Sequence, residues 1–312
     1  MQINYIQDIM PTKWLINKDN FFYEEWAFLN NTQLRHVIQN LKIKSITAIQ
    51  SGGEKNFNAS YILDSDGKLS EFYFSYEFNG TSTSTSSMFK YNENGFIEEI
   101  RRTATDQIMN INSQSAYFEY AGGLVSKKYE KTYCHRMFEY NYNNFNMPVS
   151  ITKNKFMPPY PETIDIKRLN YSKYGTLTYE YDNSGNLICE MEFDSAGNCA
   201  HKKNYIYGLN GNLKELSEHD SSAMLMKKNY HYDAGGSLTA ETTEYAGGSH
   251  LIMKYNYDAN GLLSEASMSD SEVTVKKTIF SYDDKGLVTR KSDSDTRVGN
   301  NCITTYNYVY FQ

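Results

Sequence analysis

Few residues of this chain are spaced for chemistry. Asp64-Ser65-Asp66-Gly67 places two carboxylates as the opening of a calcium loop does, but the bidentate Glu and the other oxygen ligands do not follow at the required spacing. The stretch reads as a turn. Cys199 and His201 share one face of an alternating strand, yet two ligands do not make a zinc site, and Cys134-His135 is the next nearest approach. Glu98 and Glu99 fall on opposite strand faces and cannot act on one bond. Glu24-Glu25, beside Trp26, reads as the solvated start of a helix. No Gly-x-Ser-x-Gly elbow, phosphate loop or dinucleotide fingerprint occurs. Gly122-Gly123 and Gly247-Gly248 stand in strand-to-strand turns with no helix behind them to cradle a phosphate. The expectation is a non-enzyme without catalytic residues, cofactor or metal. The 28 Tyr offer another chemistry, since aromatic rows present faces and hydroxyls to a sugar.

Those tyrosines belong to a repeat, and the repeat positions everything else. Tyr-x-Tyr-Asp-x-x-Gly-x-Leu occurs as Tyr179 to Leu187, Tyr230 to Leu238 and Tyr255 to Leu263. Tyr205 to Leu213 carries Gly208 in the Asp place, and Phe280 to Val288 differs at its ends. The second aromatic falls at 181, 207, 232, 257, 282 and 308, a period of 25 or 26 residues. A fixed period means one supersecondary unit stacked many times. Asp182 can bond backbone N–H groups two residues on, and Gly185 suits a position needing positive φ. The phrase therefore predicts a hairpin with a G1 bulge, Tyr181 facing Leu187 and Tyr257 facing Leu263. The turn glycines are Gly67, Gly95, Gly185, Gly211, Gly236, Gly261 and Gly286. Asn146 stands where the 140–147 copy needs Gly, and the copy at Phe118 to Leu124 is shortened. Short extra copies at Tyr171 to Leu177 and Phe193 to Cys199 suggest tighter hairpins. Each repeat is two antiparallel strands, at least twelve in all, in a meander that twists into a curl.

Composition bounds the partners. Net charge is −6 and no dense Lys/Arg cluster occurs, so nucleic acid is not expected. A mildly acidic chain suits solubility or a basic protein partner. The four Cys lack CxxC spacing, and if Phe193 pairs with Cys199, then Cys189 falls opposite Lys203, away from a disulfide. Free thiols, no signal peptide and no apolar span lead to an expected cytoplasmic location without a membrane span.

Along the chain, 1–45 reads as an N-terminal cap, 46–160 as degenerate repeats and 161–312 as regular ones, in a single continuous sheet. Asn31-Thr32 can cap a helix over 33–41, with Leu34, Val37, Ile38 and Leu41 on one stripe. Four of the five Pro crowd into 148–161 and mark a break, either a loop leaving the sheet or a joint within it. Trp14 and Trp26 in the cap, and Phe156 and Tyr160 in the Pro-rich excursion, are large side chains that the repeat does not require. They are the expected contact residues, with capping or plugging of the sheet as the structural alternative.

The Tyr-Asp-x-x-Gly-x-Leu turns at Tyr181, Tyr232, Tyr257 and Tyr282 resemble the YD repeats of the RHS family, strongly over 179–308 and in degenerate form over 60–178. The resemblance implies an all-β, elongated, curled antiparallel sheet of tandem hairpins with a small, partly helical cap. It also implies a non-enzymatic protein-interaction scaffold, an immunity or accessory protein of an RHS-type toxin system with a toxin as partner. The alternatives are a carbohydrate or cell-surface binding module, or a shell-like fragment that oligomerises through open edges.

Overall fold

The computed structural model describes residues 39–52, 55–78, 81–106, 112–132, 134–156, 165–221, 223–270 and 273–311. Trp14, Trp26, Tyr160, Glu24-Glu25 and most of the cap and its helix lie outside the described residues; Gln39 and Asn40 have helical backbone.

The turn phrase builds the local structure its residues dictate. Asp182 Oδ1 accepts hydrogen bonds from the backbone N–H groups of Ser184 and Asn186, each at 2.9 Å. The Asp182 carbonyl accepts from Gly185 N–H at 3.0 Å, and Asp182 N–H donates to the Asn186 carbonyl at 2.9 Å. The same backbone pair recurs at Asp64, Asn92, Asn143, Gly208, Asp233, Asp258 and Asp283. Gly67, Gly95, Gly185, Gly211, Gly236, Gly261 and Gly286 all have positive φ, and Asn146 fills its copy's Gly place at φ 61. Tyr181 stands opposite Leu187, and Tyr257 opposite Leu263. The side chain of Asp64 takes the N–H groups of Asp66 and Lys68, so the calcium-like stretch is a turn of this kind. Gly261→Val should cost about 1–3 kcal/mol, because a β-branched residue is strained at φ 77. Asp258→Ala should cost about 1 kcal/mol, since it removes only side-chain bonds to Asn260 and Leu262 N–H. Chemical denaturation of the two variants ranks them; the opposite order would contradict this account of the turn.

The twenty described strands are joined by nineteen reversals, many of them turns of this kind. They are β1 (Ile43–Ser51), β2 (Lys55–Leu63), β3 (Leu69–Phe78), β4 (Thr81–Tyr91), β5 (Ile97–Asp106), β6 (Asn112–Ala121), β7 (Leu124–Lys131), β8 (His135–Tyr142), β9 (Pro148–Phe156) and β10 (Ser172–Tyr181). The second half comprises β11 (Leu187–Asp194), β12 (Cys199–Tyr207), β13 (Leu213–Asp220), β14 (Ala223–Tyr232), β15 (Leu238–Tyr245), β16 (His250–Tyr257), β17 (Leu263–Asp270), β18 (Val273–Tyr282), β19 (Val288–Asp295) and β20 (Asn300–Tyr310). Consecutive strands pair antiparallel, and β1 pairs antiparallel with β20 from Ile43↔Tyr310 to Ser51↔Ile303.

That last pairing corrects the expected architecture. The sheet is all-β and antiparallel, but it is a closed barrel and not an open, elongated curl. Closure gives every described strand two neighbours, so the reading of a fragment that oligomerises through open edges loses its basis. A circular wall of twenty strands, about 4.8 Å apart and tilted by about 40°, would be about 40 Å across.

Irregularities adjust the wall without breaking it. β9 and β10 pair directly from Ser172↔Lys155 to Thr178↔Ser150, so the sheet continues across the Pro-rich stretch without a break. Ahead of β10, the described residues of this connection include a 3-10 turn, Ile166–Arg168. The tight hairpin expected at Tyr171 to Leu177 does not form: Gly175 sits inside β10 at a register shift, where an added Cβ would lie 2.8 Å from the Phe193 carbonyl oxygen. The one at Phe193 to Cys199 does form, with Asp194 and Gly197 in the Asp and Gly roles. A bulge between Glu192 and Phe193 moves Cys189 opposite Asn204, one residue from the expected Lys203. All four Cys are free.

Partners in register share a face, so the whole wall has a tyrosine face and an opposite face. The core lies on the tyrosine face of β1–β6 with β19 and β20, where Ile43, Ile46, Leu69, Phe72, Phe89, Ile100, Phe118, Val288 and Tyr306 form one cluster.

Candidate binding surfaces at the turn rim

Each hairpin is closed at one end by its Asp-x-x-Gly turn, but neighbouring hairpins are joined only at the far end. At the turn end their strands would splay without a second link. The second aromatic of the repeat supplies it. Tyr257 Oη donates to the Leu238 carbonyl of the preceding hairpin at 2.8 Å, and Tyr282 Oη to that of Leu263 at 2.6 Å. The same latch joins Tyr91 to Leu69, Tyr120 to Ile97, Tyr142 to Val125, Tyr181 to Pro148, Tyr207 to Leu187, Tyr232 to Leu213 and Tyr308 to Val288. These hydroxyls are spent on the wall, which removes them from the row of sugar-binding groups considered above. Leu63 occupies the Tyr position of the first hairpin, packed in the core with Ile43.

Both faces carry ion pairs. On the tyrosine face, Lys203 Nζ lies 3.5 Å from Glu218 and 3.7 Å from Glu190, and Lys228 3.0 Å from Glu241. On the opposite face, Lys227 pairs with Glu215 and Lys277 with Glu265, each at 2.8 Å. Among the described residues, both faces therefore carry charged pairs, and the opposite face also exposes Ile49, Ile62, Met88, Ile206 and Ile279. No described helix is long and apolar enough to cross a membrane.

Where the repeat departs from its pattern, the turn rim changes character. Most tips carry Ser, Asn, Asp, Ala or Lys. In the copy with Asn in place of Gly, the tip residue Phe145 is 81% exposed, and in the copy with Gly in place of Asp, Leu209 is fully exposed. The two tips flank the Asp182 turn.

The shortened copy makes a groove. Ala121 pairs with Leu124, leaving a two-residue turn in which Gly122 and Gly123 both take positive φ, 59 and 82. Beside it Phe96 stacks on Tyr120, ring centres 4.9 Å apart and planes 21° from parallel. The space between the two hairpin tips is about 630 Å³, lined by Asn92, Asn94, Phe96, Glu98, Glu119, Tyr120 and Lys167 among others. Lys167 comes from the 3-10 turn ahead of β10 and lies 3.5 Å from Glu119. Burial pushes the Tyr120 hydroxyl up to about 12.

The structure places the remaining candidates apart from one another. Phe156 ends β9, half-buried and paired with His135. Cys199 donates weakly to the His201 carbonyl, and His201 lies near Glu218; no group of three or more His, Cys, Asp or Glu among the described residues could hold a metal ion. Glu98 and Glu99 engage different bases, Lys90 and Arg101. Sequence reasoning missed the groove, Phe145 and Leu209. The shortened copy and the Gly208 and Asn146 replacements were the signals available.

No family model matches the chain, and no curated protein matches it. Among solved structures, it is similar to a porin-like protein from Bacteroides uniformis ATCC 8492, at 8% identity over 86% of this chain and 98% of that one, with a TM-score of 0.38. A porin-like protein from Bacteroides vulgatus ATCC 8482 gives 12% identity over 86% and 99%, with a TM-score of 0.24. TcdB2-TccC3 gives 10% identity over 80% of this chain, which spans 20% of that one, with a TM-score of 0.26.

Proposed function

We propose that this chain is a non-enzymatic interaction scaffold of the RHS/YD-repeat type, an accessory or immunity protein that holds a toxin of an RHS-type system in the cytoplasm. The observation that carries this reading is the division of labour among the repeats. Regular copies spend their tyrosine hydroxyls, turn carboxylates and leucines on the wall. Irregular copies put Phe145 and Leu209 into solvent, where a partner can bury them. A net charge of −6 suits a basic partner. Four free thiols suit a reducing compartment, and ion pairs on both faces suit water on both sides of the wall. Trp14, Trp26, Phe156 and Tyr160 remain proposed contacts beside these two.

The test is to read the neighbouring genes and, where one encodes a toxin, to co-express it with this chain and measure its affinity for the wild type and for a Phe145→Ser, Leu209→Ser double variant. Binding should weaken at least about tenfold while stability stays within about 0.5 kcal/mol, the usual range for exposed positions. Unchanged binding would remove the rim from the interface. A polysaccharide locus in place of a toxin gene would favour the carbohydrate-module alternative. Alanine at Phe156 that lowers stability along with binding returns that residue to a structural role.

A further inference from the structure

We propose that the groove between the 92–96 turn and the shortened 121–124 hairpin binds a neutral saccharide. This site is separate from the Phe145 and Leu209 tips and stands whether or not the protein-partner reading does.

Three observations converge. The first is a flat apolar platform. Phe96 is 37% exposed and stacks on Tyr120, and a pyranose ring lays its C–H face on such a surface. The platform is held rigidly, because Asn92 Oδ1 accepts from Asn94 and Phe96 N–H at 3.1 and 3.0 Å and Tyr120 Oη donates to the Ile97 carbonyl at 2.8 Å. The second is room. A five-residue turn at 121–124 would project side chains beside Phe96, whereas a Cβ on Gly122 would meet nothing within 4 Å and one on Gly123 would lie 3.7 Å from Phe96 Cζ. The groove of about 630 Å³ that results falls in the size range of small-ligand clefts.

The third is the character of the polar lining. Glu98 pairs with Lys90 at 2.8 Å, and Glu119 with Lys167 at 3.5 Å, while Tyr129 Oη donates to Glu119 at 3.3 Å. Both carboxylates offer acceptors to the groove, Glu119 with its cation Lys167 in the lining and Glu98 with Lys90 outside it. Asn94 and Ser126 add an amide and a hydroxyl to the same wall. A platform with acceptors and donors but little net charge fits a polyhydroxylated ligand. A sulfated or uronic chain would bring its anions against two carboxylates, with Lys90 and Lys167 already paired to them.

A glycan array carrying neutral, sulfated and uronic oligosaccharides tests this on the full chain, followed by calorimetric titration of the best ligand. The expected result is binding to neutral glycans, unchanged between low and about 0.5 M salt because no ligand charge is screened. Phe96→Ala should weaken it at least about tenfold with the melting transition retained. Should Phe96→Ala fail to fold, the exposed Asn94→Ala carries the test and should weaken binding about fivefold, the loss of one hydrogen bond. Phe145→Ser with Leu209→Ser should leave glycan binding unchanged, so the two proposals fail separately. No neutral glycan bound, binding confined to the anionic glycans, or full binding by both groove variants would overturn the proposal.

Discussion

Between about pH 10 and about pH 12 the barrel should open in one steep transition, with tyrosinate absorbance and loss of the far-ultraviolet β signal appearing together. Burial pushes Tyr120, Tyr129, Tyr205, Tyr230 and Tyr282 up to about 12. It moves Tyr140, Tyr171, Tyr179, Tyr255, Tyr306 and Tyr308 higher still, with the Glu241 carboxylate adding to the effect at Tyr255. The folded chain thus holds these protons more tightly than the unfolded one, whose tyrosines titrate near 10. Their contribution to stability is complete below about pH 10 and is lost as the pH rises through the folded values. Ionisation also removes the donor from each latch, so proton loss and wall opening are one event. Gradual tyrosine titration near pH 10 with the β signal intact would show that the latches are not closed in solution.

Deleting residues 300–312 should be the most damaging truncation for its length. It removes β20, which pairs with β1 on one side and β19 on the other, and it leaves two full-length edges in a protein that has none among its described strands. Unpaired edges of this length template association between chains, so the shortened protein should aggregate or elute as large species in size-exclusion chromatography. A gentler probe of the seam is Gly52→Val. Gly52 has φ +85, and a Cβ there would lie 2.8 Å from the Asn301 carbonyl oxygen on β20. Gly248→Val meets a similar φ of +79 but nothing within 4 Å. Both variants should lose about 1–3 kcal/mol to backbone strain, and Gly52→Val more, by the cost of displacing β20. A monomeric truncated chain with an unaltered melting transition would mean that the seam does not hold the wall.

The turn was legible because it is local. Asp182 and Gly185 act within five residues, and their geometry follows from side-chain reach and φ preference alone. Strand alternation and the facing of Tyr181 and Leu187 followed for the same reason. The latch was not read, although the sequence holds its trace. The first aromatic of a copy can be Phe, as at 89, 118 and 280, while the second is Tyr at 91, 120 and 282. A hydroxyl retained at one of two aromatic positions signals a hydrogen bond. Closure was illegible because Ile43 and Tyr310 pair across almost the whole chain, and a meander that curls reads locally the same as one that closes. The groove was illegible as a site because it depends on a shortened turn, whose effect appears only when the neighbouring Phe96 and Tyr120 are brought side by side.

The antiparallel seam sets a rule of parity for how such a ring can change size. Each latch reaches only the adjacent hairpin, so a duplicated unit of 25 or 26 residues could enter the wall as two more strands, with its own tyrosine to fasten it. The circumference would grow and the old contacts would persist. Gain or loss of a single strand would be another matter. It would bring the last strand to the first in parallel, with slanted hydrogen bonds and a register that the present Ile43↔Tyr310 pairing does not encode. Rings of this design therefore keep their antiparallel seam only when they widen or narrow by whole hairpins, and their circumference then comes in discrete steps.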